Sequence, residues 1–210
     1  MTQYGFYFDS SKCTGCKSCQ VACKETYHLP IENLFRRVYH YGGGSWEKDA
    51  NGCYAPKDVF GYFISIACNH CENPACVANC PTGAMQKDPE TGIVFSDHEV
   101  CIGCQTCAGV CPYKAPSLDA GNGYIIKCDM CRAELTLDRK PACVATCPMR
   151  ALDWGPIEDL KSKYGEGNVA VEPLPEDSTS PCLVLNPHPK AQLTGAGTGA
   201  VISFDEELDL

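Results

Sequence analysis

Short apolar runs, each bounded by turn-forming residues, are the main pattern along this chain. The clearest runs cover residues 4–8, 59–66, 93–95 and 124–126, and they are rich in aromatic and β-branched side chains, which favour strands. The segment Asp88-Pro89-Glu90-Thr91-Gly92, just before the third run, contains the Pro and Gly typical of a hairpin connection. The pattern therefore predicts several short strands.

Two segments have the pattern of helices. Residues 156–165 begin with Pro, carry acidic residues early and Lys late, and end with Gly, which predicts one short helix. The sequence after Cys23 continues without Pro, so a longer helix is expected there. In three other segments a proline directly follows a cysteine and ends a short turn, namely at Pro81, Pro112 and Pro148. The predicted fold class is α+β, with short strands and short helices.

The composition excludes two classes of partner. The 210 residues carry a formal net charge of −9 without a basic stripe, which argues against binding to nucleic acid or to an anionic lipid surface. The adjacent Arg36 and Arg37 are interpreted as an ordinary protein contact rather than an anion site. No apolar run reaches the roughly 18 residues of a membrane span, so we expect no direct membrane span.

Cysteine carries the strongest chemical signal. The sequence has 18 cysteines, and sixteen of them fall into four closely spaced tetrads. Two tetrads, the first and third, read CxxCxxCxxxC, a run in which three thiolates bind one iron-sulfur cluster and the fourth binds another. The tetrads are Cys13, Cys16, Cys19, Cys23; Cys68, Cys71, Cys76, Cys80; Cys101, Cys104, Cys107, Cys111; and Cys128, Cys131, Cys143, Cys147.

Disulfides, zinc sites and iron-sulfur clusters are competing explanations of the tetrads. Disulfides suit short secreted proteins, and this sequence begins without the pattern of a secretory signal. Zinc sites pair two CxxC units, so a third cysteine in CxxCxxC has no place in a tetrahedral site. Sixteen ligands at four per cluster predict four [4Fe-4S] clusters. Cys53 and Cys182 are expected to be plain thiols, and His70 to be exposed or to lie beside a ligand.

Internal repeats divide the tetrads into two kinds. Residues 74–85 match residues 141–152 without a gap, and residues 13–19 match residues 101–107. A two-cluster ferredoxin module needs two tetrads, because each lends its fourth cysteine to the other's cluster. Residues 68–111 resemble a bacterial two-cluster ferredoxin, so we expect the second tetrad to pair with the third, which leaves the first for the fourth. Sequential pairing, first with second and third with fourth, remains the alternative.

This pairing predicts two interleaved ferredoxin-like modules. Residues 1–58 and 114–155 form the outer module, residues 59–113 the inner module, and residues 156–210 a C-terminal helix with an extended, partner-binding tail. The four clusters would be held by Cys13, Cys16, Cys19 and Cys147; by Cys23, Cys128, Cys131 and Cys143; by Cys68, Cys71, Cys76 and Cys111; and by Cys80, Cys101, Cys104 and Cys107. No nucleophile with its base, Walker loop or GxGxxG turn is recognised, so no catalytic site is predicted.

Two regions are expected to meet other proteins. Residues 24–58 are too long for a bare connector and are interpreted as a contact surface. Residues 166–210 are rich in Pro, Gly and acidic residues and have little core of their own. Such a tail is expected either to be disordered or to lie across a partner, and the partner is preferred.

The flanks of the tetrads carry a narrower pattern. It consists of Gln3-Tyr4-Gly5-Phe6, Asp9-Ser10-Ser11-Lys12-Cys13-Thr14-Gly15-Cys16-Lys17, Phe35-Arg36-Arg37, Gly43-Gly44-Ser45-Trp46, Cys68-Asn69-His70-Cys71-Glu72, Val100-Cys101-Ile102-Gly103-Cys104, Cys111-Pro112-Tyr113 and Arg150-Ala151-Leu152-Asp153-Trp154-Gly155-Pro156-Ile157. With these flanks the protein resembles the iron-sulfur subunits of dimethyl sulfoxide reductases. More widely, it is similar to the four-cluster subunits of molybdopterin oxidoreductases that act on polysulfide, formate or nitrate.

The resemblance implies an electron-transfer subunit within a three-part complex. Its partners would be a molybdopterin catalytic subunit and an integral membrane anchor that oxidises quinol. Electrons would enter at the inner module, pass to the outer module and leave for the catalytic subunit. Relatives pair their tetrads as inferred above, and some hold a three-iron cluster where a cysteine of the third tetrad is replaced. All four cysteines of that tetrad are present here, so four [4Fe-4S] clusters are expected.

The resemblance also implies a place for the complex, at the periphery of the bacterial cytoplasmic membrane. Since the sequence shows no signal pattern, the clusters would be assembled in the cytoplasm. Work on the outer face would then require export in the folded state with a partner that carries a twin-arginine signal. The alternatives are the electron-transfer subunit of a related polysulfide, formate or nitrate-type enzyme, a free-standing polyferredoxin, and a zinc-built interaction protein.

Overall fold

Short strands and short helices make up the protein. The computed structural model describes residues 2–176 and 178–202. The helices of this part are α1 (Ser18–Thr26), α2 (Ala75–Ala78), α3 (Thr106–Val110), α4 (Arg132–Leu135), α5 (Ala142–Ala145) and α6 (Ile157–Tyr164). The strands are β1 (Tyr4–Asp9), β2 (Arg37–Lys48), β3 (Tyr54–Ile66), β4 (Met85–Lys87), β5 (Val94–Ser96), β6 (Ser117–Asp119), β7 (Tyr124–Ile126), β8 (Leu152–Pro156), β9 (Leu183–Asn186) and β10 (Ala200–Val201).

The first sheet joins segments from both ends of the sequence. β1 lies at its centre, antiparallel to β8 and parallel to β9. Phe6 and Phe8 belong to the main core, whereas Tyr7 packs with Ile157 and Leu160 of α6. Because alternate residues of a strand point to opposite faces, β1 is buried on both sides.

A long hairpin of β2 and β3 forms most of the second sheet. Its pairing runs from Arg37 opposite Ile66 to Lys48 opposite Tyr54, and β10 adds to the edge of β2. The half of the hairpin next to the core is buried, and the half that includes the turn is exposed. The predicted contact surface at residues 24–58 thus contains β2 and the turn, and its use by a partner stays a prediction.

Two smaller hairpins, β4–β5 and β6–β7, complete the strands of the described residues. The turn of the first coincides with the predicted Pro-Gly segment, where the Asp88 carboxylate accepts two backbone N–H groups. Met85, Val94 and Ile125 from these hairpins pack beside Cys76 in a separate buried cluster. The hairpins therefore supply apolar walls next to the cysteine loops.

The predicted elements are confirmed with shifted bounds. β1, β5 and β7 match the predicted runs within one residue, α1 continues past Cys23, and α6 occupies the predicted C-terminal helix. β3 begins at Tyr54 rather than at residue 59, and β2 was not predicted. Its central Gly-Gly-Gly depresses the strand signal, because glycine is depleted in strands.

The C-terminal tail departs from expectation. Leu183, Val184 and Leu185 of β9 are buried, and β9 is held by β1 of the same protein. The prediction that this stretch is disordered or laid across a partner is therefore wrong for β9. Residues 203–210 of the predicted extension lie outside the described residues.

The main core is continuous across the two predicted modules. Phe8 and Val144 of the predicted outer module belong to the same buried cluster as Ile64 and Ile93 of the predicted inner module. The structure is a mixed assembly of short helices and strands, and the division into two interleaved modules stays a prediction.

Candidate metal centres

The loop of the first tetrad turns tightly around a cavity of about 330 Å³. Gly15 and Lys17 have left-handed backbone conformations, with φ of 67° and 58°, and α1 begins directly afterwards at Ser18. The left-handed pair bends the loop, so its thiols converge instead of spreading along an extended backbone. The cysteines that line this cavity are Cys13, Cys16, Cys19 and Cys147.

The second tetrad surrounds another cavity, of about 370 Å³. Pro74, at the start of α2, lines it together with Lys127 and Thr179. Thr179 Oγ1 donates a hydrogen bond to Cys71 Sγ at 3.2 Å, so the C-terminal part of the protein contacts this site. The cysteines that line the cavity are Cys68, Cys71, Cys76 and Cys111.

A third group of thiols is buried where α1 packs against α5. Burial, followed by the nearby sulfur of Cys143, raises the pKa of Cys23 to about 12. Burial and then the sulfur of Cys23 raise the pKa of Cys128 well above its ordinary value. The members of this group, all buried, are Cys23, Cys128, Cys131 and Cys143.

The fourth group lies nearer the surface, where α3 packs against α2. Burial is the main cause that raises the pKa of Cys107 to about 11; the sulfurs of Cys80 and Cys101 add to it, and the Ala108 N–H opposes it. Cys104 is exposed, and its neighbour Ile102 has 66% of its surface exposed. The cysteines of this group are Cys80, Cys101, Cys104 and Cys107.

Backbone N–H groups point at sulfurs in all four groups. In the first group, Gly15 donates to Cys13 and Ser18 to Cys16. In the others, the donors include Met85 to Cys80 at 3.4 Å, Ala115 to Cys111 at 3.5 Å, Ile125 to Cys101 at 3.3 Å and Met130 to Cys128 at 3.4 Å. Such bonds stabilise negative charge on sulfur and are one of the means by which proteins set cluster potentials.

The four groups fit an iron-sulfur cluster better than a single ion. Within the described residues, no three His, Cys, Asp or Glu side chains come close enough to share one metal ion. In each of the first two groups, four cysteines instead line one shared cavity. All 18 cysteines are free thiols in this structure. Burial raises the pKa values of Cys13 and Cys76, so binding iron to these thiols would release protons.

His70 is buried, not exposed, with none of its surface accessible. Its Nδ1 accepts the Val94 N–H at 3.0 Å, and its Nε2 lies 3.9 Å from Cys128 Sγ. Of the two expectations for His70, exposure is therefore wrong, and a place beside a predicted ligand, Cys128, is the one that the structure shows. The sequence interpretation of Arg36 as an ordinary protein contact gave no sign of its burial, and Lys127 was not singled out, because the groups around them come from distant parts of the sequence.

Comparison with known proteins places these loops in a family. Residues 59–157 match the model of a 4Fe-4S dicluster domain, and residues 4–25 match that of a 4Fe-4S binding domain. The protein is 49% identical to the B component of anaerobic dimethyl sulfoxide reductase from Haemophilus influenzae, over 95% of its own length and 96% of the relative. It belongs to the family of dimethyl sulfoxide reductase B components.

Other matches show the range of this family. The B component of anaerobic dimethyl sulfoxide reductase from Escherichia coli K12 is also 49% identical, over 94% of this protein and 95% of the relative. The B component of sulfite dehydrogenase from Allochromatium vinosum is 33% identical, over 92% of this protein and 86% of the relative. The protein is thus an iron-sulfur electron-transfer subunit of a redox enzyme complex. None of the helices in residues 2–176 and 178–202 is long and apolar enough to cross a membrane.

Proposed function

We propose that this protein carries four [4Fe-4S] clusters and conducts electrons from a quinol-oxidising membrane anchor to a molybdopterin catalytic subunit of dimethyl sulfoxide reductase type. The observation that supports the proposal is that two sets of four cysteines each line one cavity, Cys13, Cys16, Cys19 and Cys147 in one and Cys68, Cys71, Cys76 and Cys111 in the other. In each group three cysteines come from one tetrad and the fourth from another. That exchange is how two-cluster ferredoxin loops hold their clusters.

The proposed ligands follow the four groups. They are Cys13, Cys16, Cys19 and Cys147; Cys23, Cys128, Cys131 and Cys143; Cys68, Cys71, Cys76 and Cys111; and Cys80, Cys101, Cys104 and Cys107. The chemistry that a bound [4Fe-4S] cluster supplies is reversible transfer of one electron. The protein's own residues hold the thiolates, exclude water from the buried groups and direct N–H donors at the sulfurs.

Exposure suggests where the partners approach. Among the proposed ligands, Cys16 and Cys104 are exposed, and they belong to two different groups. The surface around Cys104 includes the exposed side chains of Val100 and Ile102, which suit an apolar partner. We therefore assign the Cys104 face to the membrane anchor and the Cys16 face to the catalytic subunit.

The proposed location is the periphery of the bacterial cytoplasmic membrane, within the complex. Export to its outer face would take place in the folded state, together with a partner that carries a twin-arginine signal. Fractionation of intact cells, with protease added outside, tests the side of the membrane on which the protein lies.

Purification from native membranes with metal analysis tests the complex. We expect molybdenum, a large second polypeptide and about sixteen irons per copy of this protein. A brown monomer in the soluble fraction would support a free-standing polyferredoxin instead. Colourless protein without iron would contradict the whole proposal.

The pairing is tested by Cys111→Ser. EPR spectra of the reduced protein should show a change in the cluster held by Cys68, Cys71 and Cys76, which line a cavity with Cys111. Loss confined to the cluster of Cys128 would favour sequential pairing.

The second candidate function is electron transfer within a related enzyme complex, because the protein is also similar to the B component of sulfite dehydrogenase. The copurified complex should then oxidise sulfite and fail to reduce dimethyl sulfoxide. Reduction of dimethyl sulfoxide with reduced viologen as donor would exclude this candidate.

A further inference from the structure

Arg36 is among the largest fully buried side chains of the molecule, with 2% of its surface exposed. It directly precedes β2, and its guanidinium carbon lies 4.7 Å from the centroid of the Phe6 ring. An arginine keeps its charge at every accessible pH, so this is a positive charge placed inside the core.

The guanidinium is only partly satisfied by neutral groups. Its Nη1 donates to Ser65 O at 3.3 Å and to Ser65 Oγ at 3.2 Å. Its Nε and Nη2 have no hydrogen-bond partner, and no carboxylate of the described residues forms a salt bridge with it. A buried charge without a partner is strongly destabilising. The two unused donors therefore point to an anion that the protein side chains alone do not provide.

Cysteine sulfurs surround this charge. Ser65 Oγ, which accepts from Arg36, lies 3.4 Å from Cys19 Sγ. The Arg36 backbone N–H is directed at the sulfur of Cys23. Burial acts to lower the pKa of Arg36, but the sulfurs, led by that of Cys143, outweigh it and raise the pKa above its ordinary value. Both proposed clusters of the outer module thus contribute ligands to the surroundings of one cation.

We propose that Arg36 is the counter-charge shared by the cluster of Cys13, Cys16, Cys19 and Cys147 and the cluster of Cys23, Cys128, Cys131 and Cys143, and that it raises their reduction potentials. The inference rests on the proposed function. Four thiolates around a cluster leave a net negative charge, and reduction adds one more. A fixed positive charge in a medium of low dielectric constant stabilises the reduced state more than the oxidised state. Arg36 acts through this field and is a positioning residue, not a ligand.

The neighbouring Arg37 is a matched control. It is also buried, with 4% of its surface exposed, but its Nη2 donates to Tyr113 O. Its charge lowers the pKa of Cys111 against burial, which is the larger influence and raises it. Arg37 therefore lies beside a cysteine of the inner module. The two arginines are adjacent in the sequence but lie beside cysteines of different predicted modules.

The experiment compares Arg36→Gln, Arg36→Lys and Arg37→Gln in the full-length protein, purified with its clusters and copurifying partners. Iron per polypeptide is measured first, and EPR-monitored redox titration then gives the potential of each cluster, assigned with Cys147→Ser and Cys111→Ser. For Arg36→Gln we expect the reduction equilibrium constants of the two outer clusters to fall at least tenfold, which is about 59 mV for one electron. Arg36→Lys should keep them within about threefold, and Arg37→Gln should shift the Cys111 cluster instead.

Each result decides the inference. Full iron content with unchanged outer potentials in Arg36→Gln would overturn it and leave the proposed function intact. If Arg36→Gln fails to bind iron, Arg36→Lys becomes the deciding variant. Normal iron content and normal cluster potentials in Arg36→Lys would support a counter-charge. Loss of iron or lowered potentials in Arg36→Lys would contradict it. An equal shift of outer clusters in Arg37→Gln would also contradict it. Wild-type protein without iron would contradict the proposed function itself.

Discussion

Two loops of similar sequence, residues 13–19 and 101–107, fold alike in different surroundings. Gly15 and Gly103 have φ of 67° and 65°, and the following helices, α1 and α3, begin at equivalent positions. The agreement extends to side chains, since Ser18 Oγ lies 3.4 Å from Cys16 Sγ and the equivalent hydroxyl lies 3.4 Å from Cys104. The local sequence alone therefore determines how these thiols are presented.

The surroundings differ because other parts of the protein provide them. Behind the first loop, the Cys19 sulfur contacts Ser65, which is bonded to the buried Arg36. The third loop lies at the surface, where Ile102 and Cys104 are exposed. The comparison teaches that the tetrad determines how a cluster is bound, while distant residues determine the charge and the solvent around it.

For each of the two loops, the largest effect is expected from replacing the proposed ligand that comes from another tetrad. Cys147→Ser should damage the cluster of the first loop, and Cys80→Ser that of the third, each costing up to about four irons per polypeptide. Iron analysis and EPR measure the loss. Cys53→Ser is the control and should lose none, since Cys53 lies on the exposed turn of the β2–β3 hairpin. Damage to the third loop's cluster by Cys147→Ser would break the comparison.

Alanine at the two loop glycines should have the next largest effect. A left-handed conformation costs a residue with a Cβ about 1–2 kcal/mol. At Gly103 the new Cβ would lie 2.4 Å from the backbone oxygen of Gly123, whereas at Gly15 it would meet the Phe63 ring. We expect Gly103→Ala to lower the urea midpoint of the loaded protein more than Gly15→Ala, because a ring moves more easily than a backbone. The reverse order would show that the surroundings of the first loop are the more rigid.

Oxidative damage should separate the loops by exposure. With limiting ferricyanide, we expect the cluster of the third loop to be lost several times faster than the buried cluster of Cys23, Cys128, Cys131 and Cys143. The first loop's cluster, with Cys16 exposed, should be intermediate. EPR spectra taken during the reaction provide the measurement, and uniform loss of all clusters would contradict the assigned ends. Addition of a copurifying partner should slow the loss of only the cluster that it covers.

The smallest effect is expected at the paired hydroxyls. Ser18→Ala and Thr106→Ala each remove one hydrogen-bonding group beside an exposed thiol. Both should lower the potential of their own cluster slightly, by similar amounts and by less than Arg36→Gln, because solvent can replace the lost group. Redox titration of the two variants checks this, and a large difference between them would show that the environment overrides the shared local geometry.

Elements with local signals could be predicted from the sequence. β7 coincides with the aromatic and β-branched run at residues 124–126, and α6 begins at the residue after Pro156 and ends before Gly165. β9 has four residues within a Pro-rich stretch, and it is a strand because β1 supplies a partner. Likewise the spacing of the tetrads predicted the candidate thiols, but the position of Arg36 depends on contacts between segments that the sequence does not relate.

The parallel pairing of β1 with β9 has a consequence for biosynthesis. During synthesis, β1 gains its two neighbours only when residues 152–156 and 183–186 have followed it. Cys147, needed beside the loop at residues 13–19, also emerges late. Closure of this sheet depends on contacts of high sequence separation, which form slowly. The loop at residues 13–19 therefore stays incomplete until residues up to 186 have been made.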